Sequence, residues 1–236
     1  MYQGNRVAVI LPALNEAEAI GSVLESIDRD MIDEVVVGDN GSNDGTATVA
    51  ASGGALVVLE ERKGYGSACL KAVAAVPDAD ILVFLDADGS DDPSEIPLLL
   101  TALVEGGADL VIGSRVTGQS EPGALTPLQR FGNAMTCFLV RRFWGVRYSD
   151  LGPFRAIWRH RYEELHMADP DFGWTIEMQV KAAQRGLRAA EVPVSYRNRR
   201  AGQSKVSGTI RGSFAAGRRI LGCVIRAKVG DLRGRA

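Results

Sequence analysis

The chain has 236 residues, 46% hydrophobic and 24% charged, ordinary values for a globular protein that argue against disorder. Three scattered cysteines and two histidines supply no disulfide framework or zinc spacing and leave little room for a Ser-His-Asp triad. Net charge is −2, but residues 205–236 carry eight Lys or Arg and one acid, a net of +7, against −9 for residues 1–204. A basic tail on an acidic body points to an anionic partner such as a membrane surface or nucleic acid; a solvated surface helix is the plainer alternative. No apolar run reaches the roughly 18 residues of a membrane span, and Met1 to Arg6 lacks an apolar signal core, so a cytoplasmic protein is expected.

In chain order, Val7–Leu11, Glu34–Gly38, Ala55–Leu59, Ile81–Leu85 and Leu110–Gly113 read as strands. Helical segments lie between them near Glu16–Ile27, Thr46–Ser52, Gly66–Val76 and Pro93–Glu105. Alternation of this kind predicts an α/β fold, a mostly parallel sheet covered by helices on both faces. Pro127–Phe143 has helical spacing, Trp174–Arg185 reads as a helix and Ala189–Val194 as a strand. Arg197–Gly208 is a loop rich in Arg, Gly and Ser. From Thr209 to Lys228 apolar Ile210, Phe214, Leu221, Val224 and Ile225 recur near helical spacing, flanked by Arg211, Arg218, Arg219, Arg226 and Lys228. This amphipathic helix either lies on a membrane or packs against the domain.

Ligands of parallel sheets sit at the carboxyl ends of the strands. The unusual polar residues gather there: Asn15 and Glu16 after the first strand, Asp39 after the second, Asp86 and Asp88 after the fourth, Arg115 after the fifth. The run Ile81-Leu-Val-Phe-Leu-Asp86-Ala-Asp88 carries the most chemistry. Acids two apart project to one side where the strand leaves the sheet. They repel unless a cation neutralises them, and hard oxygen ligands suit Mg²⁺ or Mn²⁺ beside a phosphate. A calcium loop is rejected, since Asp91 stands where the sharp turn needs Gly and Pro97 where the bidentate Glu belongs. Neither a P-loop nor G-x-G-x-x-G follows the first strand, which counts against P-loop and dinucleotide enzymes and against a nucleotidyltransferase. Ser42 to Gly45 reads as a turn and helix cap. Asp39 can accept hydrogen bonds from a base.

Taken together these segments resemble glycosyltransferase family 2, whose fold is the nucleotide-sugar-binding GT-A architecture. The matching pieces are Pro12-Ala-Leu-Asn-Glu16, Asp39-Asn-Gly-Ser-Asn-Asp-Gly45, Lys63-Gly-Tyr-Gly66, Asp86-Ala-Asp88 and Gly113-Ser-Arg115. Asp150-Leu-Gly-Pro-Phe-Arg155, Trp174-Thr-Ile-Glu177 and Arg199-Arg-Ala-Gly202-Gln-Ser204-Lys205 look like the dolichyl- or polyprenyl-phosphate mannose and glucose synthase branch. The resemblance covers about residues 6–210, and the expected division is a GT-A domain over 1–210 followed by a basic amphipathic tail over 211–236.

The resemblance implies that Pro12, Glu16 and Asp39 line a nucleotide pocket, with Lys63 and Gly66 near the base or sugar. It implies that Asp88 ligates the ion on the donor diphosphate and that Asp86 contacts the sugar or supports the metal. Ser90 stands where those relatives often have Gln in the metal site. Arg115, Arg130 and Arg199 fall where the family places arginines for phosphate groups, some of them the acceptor's, and a bidentate guanidinium suits that task. Two departures from the mannose enzymes are Asn40 for a second acid and a shortened Asp150–Arg155 segment.

The implied reaction is inverting transfer of a hexose from a nucleoside-diphosphate sugar such as UDP-glucose or GDP-mannose to a polyprenyl phosphate, dependent on Mg²⁺ or Mn²⁺. A phosphate acceptor is already anionic and needs no base. A hydroxyl acceptor needs a carboxylate, for which Asp150 and Glu177 are the candidates. A soluble transferase for hydroxyl acceptors and a non-catalytic nucleotide-sugar-binding module are the alternatives. Contact with the membrane surface through the basic tail is expected. Nucleic-acid binding is not, because no base-reading motif is present.

Overall fold

The computed structural model describes residues 1–199 and 222–229. Seven strands form one sheet in the order β3-β2-β1-β4-β6-β5-β7. The strands are β1 Val7–Ala13, β2 Glu34–Asp39, β3 Leu56–Leu59, β4 Ile81–Phe84, β5 Leu110–Ser120, β6 Arg155–Trp158 and β7 Ala189–Tyr196. β1 pairs in parallel with β2 and β4, β2 with β3, and β5 with β7. β6 runs antiparallel between β4 and β5. The mostly parallel sheet expected from βα alternation is therefore present, with one reversed strand inserted.

The helices are α1 Ala17–Glu25, α2 Thr46–Ser52, α3 Tyr65–Ala74, α4 Ile96–Val104, α5 Pro127–Trp144, α6 Arg159–Leu165 and α7 Trp174–Gln184. They cover both faces because the central strands are apolar on both. Val7, Val9 and Leu11 of β1 pack with Ile20 and Val23 of α1 and with Leu99 and Leu103 of α4. Ala8 and Ile10 face the opposite way, toward Cys69 and Val73 of α3 and Met178 of α7. This alternation explains the uninterrupted apolar runs of β1, β2 and β4. α5 starts on a capping box between Thr126 and Gln129 with Pro127 in the first turn, and stops at Gly145, whose φ of 78° suits glycine.

β6 and α6 were not expected from the sequence. Arg-Ala-Ile-Trp is only four residues long and opens on a charge. Yet Arg155 is fully buried. Its guanidinium donates to the carbonyls of Thr175 at 2.9 Å and of Gly152, and lies 5.9 Å from the centre of the Trp174 ring. Burial lowers its pKa to about 10. Arg155 thus ties α7 to the segment after Asp150.

The expected loop over Arg197–Gly208 is described only to Arg199, and residues 200–210 with the expected boundary at 210, and 211–221 and 230–236 of the expected basic tail, lie outside the described residues. Residues 222–229 are helical. There Val224 is buried in the core against α5 and α7, Ile225 is exposed, and Lys228 Nζ sits 5.6 Å from the Phe143 ring centre. This stretch packs on the domain. Among the described residues no helix is long and apolar enough to cross a membrane.

Replacing Arg155 by Ala leaves buried carbonyls without donors and opens a void, so thermal or denaturant unfolding should show a loss of about 3 kcal/mol. A change under about 1 kcal/mol, within the range of an ordinary surface substitution, would contradict the role given to this side chain.

Candidate active site

The register of the sheet brings the carboxyl ends of β1, β2 and β4 side by side, with Ala13 opposite Asp39 and Ile10 opposite Phe84. The loops leaving β1 and β2 are laced together. Asn15 N–H donates to Ser42 Oγ at 2.9 Å, Asn43 N–H to Asn15 Oδ1 at 2.9 Å, and Glu16 N–H to Thr46 Oγ1 at 2.9 Å. Asp39 is buried, and it accepts from the backbone N–H and hydroxyl of Ser42, closing the turn.

Asn40 joins this floor to the next loop. Its amide donates to the carbonyls of Glu60 at 3.0 Å and Arg62 at 2.8 Å, and its Oδ1 accepts from Gly64 N–H at 2.7 Å. A carboxylate would face two carbonyls there with no proton to offer, which gives a physical reason for Asn over a second acid. Lys63 Nζ donates to the carbonyls of Asn40 at 2.8 Å and Gly41 at 3.2 Å. Gly64 and Gly66 admit the 169–171 loop: a Cβ would lie 2.1 Å from Pro170 O at Gly64 and 2.0 Å from Asp169 O at Gly66. Gly66 thus serves close packing rather than direct contact with the cleft.

Above this floor is a cleft of about 290 Å³. Pro12, Glu16, Lys63, Asp86, Asp88 and Arg199 line it, as the motifs predict, together with Asn40, Tyr65, Asp171 and Phe172. Asp39 and Gly66 stand behind the lining. Sequence reasoning passed over Tyr65 and Phe172, although Tyr65 lies within the Lys63–Gly66 motif. Its hydroxyl donates to Asp86 Oδ1 at 3.1 Å.

The acids crowd one corner. Asp88 Oδ1 accepts from Ser90 N–H at 2.9 Å and from Ser90 Oγ at 2.6 Å, so Ser90 braces Asp88. Asp91 is buried, accepts from Asp86 N–H at 3.1 Å through Oδ2, and has no hydrogen-bond partner at Oδ1. Burial first, then the neighbouring Asp88, raises the pKa of Asp86 to about 7. Burial and Asp86 push that of Asp91 well above the carboxylate range. A guanidinium answers this crowd: Arg199 donates to Glu16 Oε1 at 2.6 Å and pairs with Asp88 Oδ2 at 2.8 Å. β7 delivers it there. Tyr196 bridges to Asp91, Arg197 N–H donates to Ser90 O at 2.8 Å, and Arg197 pairs with Asp92.

The remaining predicted residues stand elsewhere. Asp150 is fully buried and holds Arg115 in a fork, with Nε and NH2 each at 2.8 Å from its oxygens. Burial opposes both charges, but the pair prevails, so Asp150 is held below the usual carboxylate range and Arg115 is raised. Arg115 also lies 4.9 Å from the Tyr196 ring centre. Glu177, in the first turn of α7, accepts from Ala168 and Asp169 N–H and pairs with Lys181 at 2.7 Å. It anchors the loop that carries Asp171 and Phe172 rather than lining the cleft. Arg130 is exposed in the first turn of α5, its Nε 3.3 Å from Leu125 O.

Asp86 and Asp88 fit a divalent cation. They are hard-oxygen donors lining one corner of the cleft, and burial, with the charge of Asp88 second, raises the pKa of Asp86. No set of three or more such donors occurs among the described residues. Mg²⁺ or Mn²⁺ needs only one or two carboxylates when substrate phosphate and water complete its shell.

The raised carboxyls make stability depend on pH. The folded protein keeps protons on Asp86 and Asp91 that the unfolded chain releases near pH ~4, so stability falls as pH rises from there through about 7. Asp150, depressed, is ionised across that window. Thermal midpoints of the metal-free protein should decline between pH 5 and 8, and Asp91→Asn should flatten the decline. An unchanged slope in that variant would refute protonation of Asp91 in the fold.

The geometry has counterparts among known proteins. The model of Glycosyl transferase family 2 matches residues 8–178. "Uncharacterized glycosyltransferase Rv0539" of Mycobacterium tuberculosis is 40% identical over 215 residues, covering 90% of this chain and 95% of that one. "Undecaprenyl-phosphate mannosyltransferase" of Micrococcus luteus is 34% identical, covering 88% of this chain and 90% of that one. Glucosyl-3-phosphoglycerate synthase of Mycobacterium tuberculosis, crystallised with Mn²⁺, UDP-glucose and phosphoglyceric acid, superposes with a TM-score of 0.78 at 28% identity, over 95% of this chain and 80% of that one. With the sheet order, the acid pair at the end of β4 and these likenesses in agreement, the chain belongs to glycosyltransferase family 2.

Proposed function

We propose that this glycosyltransferase moves a hexose from a nucleoside-diphosphate sugar to a polyprenyl phosphate, with inversion at the anomeric carbon. The acid corner over β4, already occupied by the guanidinium of Arg199, carries the reading. Two carboxylates there already hold one cationic group, which supports a cation site beside the donor diphosphate. Asp88, supported by Asp86 and Ser90, would hold Mg²⁺ or Mn²⁺, which supplies charge stabilisation for the departing diphosphate. Pro12, Glu16, Lys63 and Tyr65 line the space for nucleoside and sugar, with Asp39 and Gly66 supporting it from behind. Arg199, paired with Glu16 and Asp88, would take a phosphate group when Asp88 holds the ion, and Arg115 and Arg130 are the candidates for the acceptor's phosphate.

The engagement of both candidate bases favours a phosphate acceptor. Asp150 is spent on Arg115 and Glu177 on backbone amides. A phosphate oxygen attacks as an anion and needs neither. The names of the relatives, among them a dolichyl-phosphate hexose transferase of Haloferax volcanii, support the same acceptor class. Transfer to a hydroxyl is the second reading, favoured by the likeness to the glucosyl-3-phosphoglycerate synthase bound to phosphoglyceric acid. A peripheral place at the cytoplasmic face of the membrane follows from the first reading.

Nucleoside diphosphate release from UDP-glucose or GDP-mannose, measured with Mn²⁺, should require undecaprenyl phosphate. Release that responds to phosphoglyceric acid and ignores the lipid would replace this reading with the second. Asp88→Asn should lower turnover by on the order of 10²–10³ while the fold survives, the usual effect of losing one charge-stabilising group. Full activity in that variant would remove the metal from the account.

A further inference from the structure

We propose that the outward face of α5 is a docking surface for an anionic lipid bilayer, which goes beyond the acceptor reading and does not need it. α5 turns Thr136, Cys137 and Val140 into the core. At about 100° per residue, Phe131 and Phe138 fall on the opposite side of the helix. Both are 63% exposed, and Leu128 beside them is 48% exposed. Aromatic side chains in solvent at this spacing form one apolar stripe along the helix.

The charge around the stripe identifies the occupant. Residues 122–149 contain four arginines, Arg130, Arg141, Arg142 and Arg147, and no acid, in a body that is otherwise acidic. Arg141 and Arg142 in the last turn also complement the helix dipole. That dipole leaves the exposed phenylalanines unexplained. An apolar stripe flanked by arginine is the pattern of a helix lying in the plane of a membrane interface, with the rings among the acyl chains and the guanidinium groups at lipid phosphates. The helical stretch 222–229 packs against the core-facing side of the end of α5, away from the stripe, and adds two basic side chains, Arg226 and Lys228, near that end. Lys228 lies 5.6 Å from the Phe143 ring centre and 5.9 Å from that of Trp144, at the end of α5. On its inner side α5 also borders the Arg115–Asp150 pair, through Asn133, which donates to Ser149 O at 2.8 Å and accepts from Leu151 N–H at 2.9 Å.

Cosedimentation of the full chain with vesicles tests this. The vesicles are phosphatidylcholine alone or mixed with phosphatidylglycerol, free of polyprenyl phosphate. Wild type should bind the anionic vesicles more tightly and lose affinity as salt rises. The double variant Phe131→Ser, Phe138→Ser should bind about tenfold more weakly, with thermal midpoint and nucleotide-sugar affinity unchanged. Arg141→Gln with Arg142→Gln should weaken binding to the anionic vesicles only and flatten its salt dependence. Equal vesicle binding by wild type and the serine variant overturns the proposal. So does a wild-type dimer that the serine variant converts to monomer, which would assign the face to a second copy. A lowered midpoint with unchanged vesicle binding would assign it to a segment of the same chain and overturns the proposal as well. Absence of wild-type binding defeats the docking surface while leaving the transfer assay free to succeed.

Discussion

Carboxylates gathered at the end of a buried strand repel one another, and much of this molecule is arranged around that repulsion. Asp86, Asp88 and Asp91 leave β4 within six residues, with Glu16 facing them from the start of α1. The low-dielectric surroundings that make the sheet stable make their charges expensive to keep. The folded protein answers with protons on some groups, with serine and backbone donors on Asp88, and with one guanidinium across Asp88 and Glu16. In a corner so poor in solvent, electrostatic interactions are screened less than they are in water.

The loops around that corner are fixed before any ligand arrives. Asn40, Lys63 and the two glycines at 64 and 66 join three loops through backbone contacts, and Glu177 holds the third of these, over 168–172, from its other side. Most of the polar side chains that motif reading assigns to substrate are already engaged with the protein itself. Such engagement is preorganisation: donors and acceptors locked by their neighbours need little rearrangement when charge develops on a departing group. The Arg115–Asp150 fork illustrates it, since a buried carboxylate sets both the charge and the direction of a guanidinium.

Charge is partitioned on a larger scale as well. Acids concentrate over the cleft, while arginines and exposed aromatics occupy α5, with the basic helical stretch 222–229 packed against its end. Such a partition keeps the field over the cleft apart from that of the basic face.

The order of the βα units, the two-sided burial of the central strands and the acid pair after β4 are written in local pattern. Apolar runs, turn residues and spacing depend only on near neighbours, and nearly every element of the first 105 residues lies within two residues of its expected bounds. β6 was invisible because its four residues acquire strand character only by antiparallel insertion between β4 and β5, and because Arg155 reads as a surface charge until Thr175 and Gly152 surround it. The same holds for Asp150 and Glu177. Their residue type suggests a base, but whether a carboxylate is free or spent depends on partners 35 and 8 positions away along the chain. Only tertiary structure brings Arg199 to Asp88 and Glu16, since that contact spans 183 residues between Glu16 and Arg199 and exists because β7 ends beside the acid loop. Sequence carried the chemistry available to the site, and the packing of distant segments decided which groups remain available to use it.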